Sequence, residues 1–284
     1  MIAALPQLPV ELLEVIFQLT ARESTGTATT LLQVSKWVRH CIEPILYETV
    51  VVNNHEDSIL ICYPPHFKTR SINIPDFFKE YGRHILCLSI DPPNPEQEVV
   101  DALKLCPSLK NLVIPGYCSA GMIETIQEYL PNLERLSGRI EGYHAWMDST
   151  KATYRQLTHL DMIGWYEWDD WSRLLTQLPS LTHLALDDTD NIEYTMIPGS
   201  LKGCRKLLAL LLVSEGFSVE EACREDVADP RGTEIDERIV VVTIRGFDNW
   251  LNGVRGGLDM WTLADRVISE RQSSRKREGT KDIN

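Results

Sequence analysis

Leucine and its aliphatic relatives return in this chain at a fixed interval, and that interval constrains the fold more than any other feature. Ile85, Leu109, Leu133, Leu157 and Leu181 stand 24 residues apart, and Leu207 follows after 26. Three residues past each stands another leucine: Leu88, Leu112, Leu136, Leu160, Leu184 and Leu210. Two further on come Ile90, Ile114, Gly138, Met162, Leu186 and Leu212, apolar in every case but Gly138. Self-similarity at one period marks a chain built from stacked copies of a single structural unit. The end of each triplet alternates in and out, as a strand requires. Between triplets the apolar spacing turns helical. Val99, Val100 and Leu103 form one stripe, and Trp171, Leu174, Leu175 and Leu178 another, with Asp169 and Asp170 suited to a helix start. One copy cannot bury its own apolar face, but stacking does, and each interior leucine then contributes about 1.5–3 kcal/mol. The expected fold is α/β, with parallel strands on a concave face and helices outside.

The L-x-x-L-x-L pattern resembles the strand half of a leucine-rich repeat, which implies an irregular solenoid over residues 83–214. A solenoid needs covered ends. Residues 238–272 fit a C-terminal cap: a strand in RIVVVTIRGFDNWL, then a helix over 257–271 with Trp261, Ala264, Val267 and Ile268 inward. Ala209, Leu211 and Val213 make the outward positions of the last repeat apolar, as expected if something lies over it. Residues 215–237 read as an acidic loop; the stretch 215–238 holds nine acidic and three basic side chains. Residues 273–284 read as a disordered tail. Its Arg275-Lys276-Arg277 is a weak nuclear-import signal, and a solvated tail is the favoured reading.

Residues 1–52 fall outside the period and read as three short helices passing into a strand. Leu8, Pro9, Glu11, Leu12, Leu13, Ile16 and Phe17 lead. After a polar loop come Val34, Ser35, Lys36, Trp37 and Arg39, then Pro44, Leu46 and Tyr47, with Pro44 expected to stop the second long helix. This block resembles an F-box, in the order L-P-x-E-L-L-x-x-I-F, V-S-K-W-x-R and P-x-L-Y. Ala28-Thr29-Thr30-Leu31-Leu32 stands where the family usually has D-L-L-x-L. An F-box followed by leucine-rich repeats resembles the fungal class of such proteins. The resemblance implies a substrate-recognition subunit of a Skp–cullin–F-box ubiquitin ligase that does no covalent chemistry itself. It implies docking on a Skp-family adaptor, and through it on a cullin–RING ligase, by Leu8, Pro9, Leu12, Leu13, Ile16, Val34, Ser35 and Leu46. Residues 53–82 are a connecting segment or an irregular first repeat. The alternative is a scaffold for protein–protein interaction without ligase activity.

A protein substrate is expected on the concave face. Three outward columns line it: Cys87, Asn111, Arg135, His159, His183, Ala209; Ser89, Val113, Ser137, Asp161, Ala185, Leu211; and Asp91, Pro115, Arg139, Ile163, Asp187, Val213. Asn111, Arg135, Arg139, His159, Asp161, His183 and Asp187 are the candidate contacts there, and Arg135 should neighbour His159. Trp165 and Trp168, in GWYEWDDW, are rim anchors on one reading and filler between strand and helix on the other.

Composition excludes several classes. A net charge of −13 argues against non-specific nucleic-acid binding. No apolar run reaches the roughly 18 residues of a membrane span, and the N-terminus lacks a basic region ahead of its apolar residues. Seven cysteines without a C-x-x-C pair fit reduced thiols inside a cell, in cytoplasm or nucleus. Phosphate-loop, dinucleotide, nucleophile-elbow and zincin motifs are absent from the sequence, so no enzyme, cofactor or metal is expected. His159 and His183 share one repeat position, and with Asp161 they are a weak zinc set.

Overall fold

The computed structural model describes residues 8–23, 25–53, 58–61, 67–70, 74–90, 96–140, 150–163, 178–187, 201, 206–213, 236–242 and 247–281. The chain forms two compact units, Met1–Lys110 and Asn111–Asn284. Both are α/β.

The first unit opens with helices α1 (Val10–Glu23), α2 (Thr25–Leu31) and α3 (Lys36–Leu46). Ser35 caps α3, its hydroxyl accepting the Val38 N–H at 3.1 Å, which satisfies one of the free donors at a helix start. Val38, Cys41, Ile42, Ile45 and Leu46 bury the inner face of α3. Pro44 lies inside this helix rather than ending it. A proline removes one hydrogen bond, and so near the terminus the burial of Ile45 and Leu46 offsets that loss. Strands β1 (Thr49–Asn53), β2 (Ser58–Ile61) and β3 (Phe67–Arg70) follow, then α4 (Ile74–Tyr81), β4 (Cys87–Ile90) and α5 (Gln97–Lys104). β1 pairs parallel with β4, Val50 beside Leu88 and Val52 beside Ile90, and antiparallel with β2, which pairs antiparallel with β3. Residues 53–82 thus hold an antiparallel excursion and a helix, not a copy of the 24-residue unit. Tyr47, Phe77 and Tyr81 pack against one another, with Tyr47 and Tyr81 stacked at 3.8 Å.

The second unit contains β5 (Asn111–Cys118), α6 (Ala120–Tyr129), β6 (Arg135–Ile140), α7 (Ala152–Gln156), β7 (His159–Met162), β8 (His183–Asp187), β9 (Ala209–Val213), β10 (Ile239–Val242), α8 (Phe247–Val254) and α9 (Met260–Lys281). Its strands pair in parallel in chain order. The sequence period is the register of this sheet. Asn111 pairs with Arg135, Arg135 with His159 and His159 with His183, each step 24 residues. His183 pairs with Ala209, the step of 26. Leu112, Leu136, Leu160, Leu184 and Leu210 form one buried row. Gly138, the break in the apolar pattern, faces a bulge: β5 shifts register between Ile114 and Tyr117. A Cβ at 138 would stand 3.2 Å from the Ile114 carbonyl oxygen and 3.3 Å from the Cys118 sulfur, so the bulged strand fills the missing side chain's place.

β10 extends the sheet beyond β9, pairing with it in parallel. The helix after it lies across the sheet face. Met260, Trp261, Ala264 and Ile268 of α9 form one core with Ala185, Ala209, Leu211, Val213, Val240 and Val242, and Leu263 and Val267 pack against it. The turn into α9 uses Gly256 at φ 75°, a left-handed position that favours glycine, and the Gly257 N–H returns to the Asn252 carbonyl at 2.8 Å. The tail expected to be disordered from residue 273 is helical to Lys281. Arg271 donates to the Glu237 and Ile239 carbonyls at 3.2 and 2.6 Å, and Arg275 pairs with Glu237 at 3.0 Å. The acidic stretch lies outside the described residues up to Asp236. No described helix is long and apolar enough to cross a membrane.

Candidate functional site

Two surfaces carry the residues singled out in the sequence, one in each unit. The first is α1. Leu12, Val15, Ile16 and Leu19 fall three or four residues apart, so they share a face. They are 50, 49, 46 and 61% exposed, and Leu8 and Val34 are 50 and 60% exposed. An apolar stripe left open to water on a helix that packs its other face inward is the pattern of an interaction surface rather than of a core. Of the eight docking candidates, Leu8, Pro9, Leu12, Ile16, Val34 and Ser35 are exposed and Leu13 is half-buried. Leu46 is 1% exposed and belongs to the core with Ile42 and Ile45, which corrects its assignment as a contact residue. It ends the inner stripe of α3, so its burial follows from helix period.

The second surface is the sheet face of unit two, where the strand register does bring the polar candidates together. It is covered by the chain's own α8 and α9, so the expectation of an open face is corrected. Asn111 accepts from the Trp250 indole N–H at 3.0 Å. Arg135 pairs with Asp259 at 3.4 Å, and Asp259 is itself 4% exposed and caps α9 through the Thr262 N–H. Asp161, 4% exposed, accepts from Ser137 at 2.6 Å. His183 is 5% exposed and its Nε2 lies 3.0 Å from the Asp265 carboxylate. His159 and His183 stack with ring centres 4.3 Å apart and planes 3° from parallel, and the Trp261 ring meets both edgewise. Burial first, then the neighbouring His183 and Arg135, push the His159 pKa down to about 2. Arg139 is exposed. The Asp187 side chain, Trp165 and Trp168 lie outside the described residues.

No group of three or more His, Cys, Asp or Glu among the described residues is arranged to hold a metal ion. The two histidines meet because they share a repeat position; their rings stack on each other and Trp261 lies edgewise to both. The residues that sequence reasoning missed are Trp250, Asp259 and Asp265, which cover the face. The available signal was the apolar outward trio Ala209, Leu211 and Val213. It demands a cover, and the inward stripe of 257–271 supplies one. The protein-family models include none that matches the chain, and comparison with curated proteins gives no match.

Proposed function

We propose that the chain is a substrate-recognition adaptor of a Skp–cullin–F-box ubiquitin ligase. In this reading, helices α1–α3 are an F-box docked on the Skp-family adaptor, and the second unit is a leucine-rich-repeat solenoid that engages a protein substrate. The observation that carries it is the exposed apolar stripe of α1, in which the motif residues Leu12 and Ile16 stand with Val15 and Leu19. Burying that stripe against a partner removes several large aliphatic side chains from water, each worth about 1.5–3 kcal/mol. One strand per 24 residues, in parallel register, supports the solenoid reading of the second unit. Because α8 and α9 cover the polar centre of the sheet face, substrate contact falls to what they leave open, with exposed Arg139 as the first residue to test.

The test is a double substitution, Leu12→Asp with Ile16→Asp. Both side chains are about half exposed, so the fold tolerates the change, while two unpaired carboxylates in an apolar interface are too costly to keep. Co-purification with the adaptor should drop below detection with the circular dichroism spectrum unchanged. Normal recovery of the adaptor with the double mutant would overturn the reading.

A further inference from the structure

We infer that His159, stacked on His183, is a proton-operated clasp, holding α9 on the sheet at neutral pH and loosening it in acid. The clasp is built from unit two alone and does not depend on adaptor docking.

The hydrogen bonds fix which ring atoms can take a proton. Thr158 donates its hydroxyl hydrogen to the Glu134 carbonyl at 3.0 Å, so its oxygen accepts from His159 Nδ1, 2.8 Å away. Thr182 repeats this, donating to the Thr158 carbonyl at 3.1 Å with His183 Nδ1 2.8 Å from its oxygen. Each ring is thereby pinned to its strand, and Nε2 is left to face the helix. His183 Nε2 meets Asp265 of α9 at 3.0 Å. His159 Nε2 bonds no acceptor among the described residues.

Cationic Arg135 works against a positive charge on His159, and no carboxylate bonds the ring to offset it. On β6, Arg135 stands in the neighbouring register position and is cationic. On β8, the His183 ring lies flat against it. On β7, Asp161 is bonded to Ser137. On α9, Asp259 pairs with Arg135 and Asp265 with His183, while Trp261 closes the top. The three carboxylates within the cluster are engaged elsewhere, and none bonds the His159 ring. The closed state therefore takes His159 neutral.

The sign follows from linkage. A histidine that is neutral when covered and ordinary when uncovered binds its proton only in the open state. For His159, opening is therefore favoured as pH falls through and below the ordinary value near 6.5, with a limiting slope of about tenfold per pH unit. Loosening α9 would uncover Arg135, Asp161 and the histidines, the polar centre of the sheet face.

Hydrogen exchange on the full chain tests this. After correction for intrinsic rates, α9 amides from Thr262 to Arg271 should lose protection roughly 16-fold between pH 6.5 and 5, the size set by one histidine half-protonated in the open state at pH 6.5. Amides of β6 should keep theirs. His159→Phe keeps a flat ring for the stack and removes the proton, and its α9 protection should not change with pH. An equal loss in β6, which marks global acid unfolding, would overturn the clasp, as would an unchanged slope in His159→Phe. The ring can also be read directly in the unsubstituted chain by nitrogen NMR of its imidazoles. At pH 6 His159 should be neutral with the proton on Nδ1, and a cationic ring would overturn the proposal without any variant.

Discussion

Residues of one motif divide here by burial, and the division predicts two different kinds of mutant. Leu46 is 1% exposed and Val34 is 60% exposed. Leu46→Ala removes core methyl groups and leaves a cavity, so it should cost about 2–5 kcal/mol in urea denaturation. Val34→Ala should stay within about 0.5 kcal/mol of the parent, since little of it is packed, and any effect should appear in partner binding instead. Gly138 invites the opposite mistake. Gly138→Leu restores the repeat pattern on paper, yet the place is already filled by Ile114 and Cys118. We expect a loss of about 1–3 kcal/mol from overpacking. An equally stable Gly138→Leu protein would mean that the bulge in β5 yields. Cys106 is buried, and burial pushes its thiol up to about 12, so it should resist alkylation at pH 8 until the protein is unfolded. The leucine positions were legible in the sequence because period 24 is a geometric fact about stacking. The bulge was not, because Pro115 fits an ordinary outward position of the period, opposite Arg139, whereas in the structure Tyr117 takes that pairing; only Gly138 betrayed the shift.

At the scale of elements, the strands could be placed from sequence down to their cross-strand partners, while the helices that cover them could not. A strand is fixed by its neighbours at a constant interval. A helix such as α9 is fixed by a face contributed by three strands spread over residues 185–242, and no interval joins them. The polar anchors of α8 and α9 are equally non-local: Asp259, at the start of α9, meets Arg135 across 124 positions and Trp250 of α8 meets Asn111 across 139. Gly253 marks the tight passage there, since a methyl group at that position would overlap the Asp259 carboxylate. β10 has a local lock of its own. Arg238 bonds both carboxylate oxygens of Asp236 and the carbonyls of Leu201 and Leu207. The side-chain hydrogen bond from Arg238 is the main cause that holds the Asp236 carboxyl below its ordinary range. A carboxylate held low stabilises the fold above its ordinary pKa near 4, and that contribution is lost as pH falls through the lowered value. Arg238→Gln should therefore lower the urea midpoint at pH 7 and lessen the further drop on going below pH 4. An acid profile parallel to the parent's would remove Asp236 from the account.

For the molecule as a whole, the decisive question is what the C-terminal forty residues do for the sheet they lie on. Ala185, Ala209, Leu211, Val213, Val240 and Val242 form a continuous apolar face, and α9 is what keeps it from water. Ending the chain after Val242 removes α8 and α9 together. It uncovers that face, leaves Asp161 and His183 without their roof, and strips Arg271 from the carbonyls of Glu237 and Ile239. An apolar sheet face open to solvent is an association site. The shortened chain should elute as soluble aggregates on size exclusion and lose several kcal/mol of stability, on the scale of a few core truncations of about 2–5 kcal/mol each. Ending the chain after Gln272 keeps the whole apolar contact and Arg271. It removes the Arg275–Glu237 pair, whose side chains are 53 and 32% exposed, so the cost should stay below about 1 kcal/mol. The two truncations thus separate the cover from its extension. A monomeric and equally stable protein ending at Val242 would show that the sheet needs no roof, and would leave His183 without a structural reason for its burial.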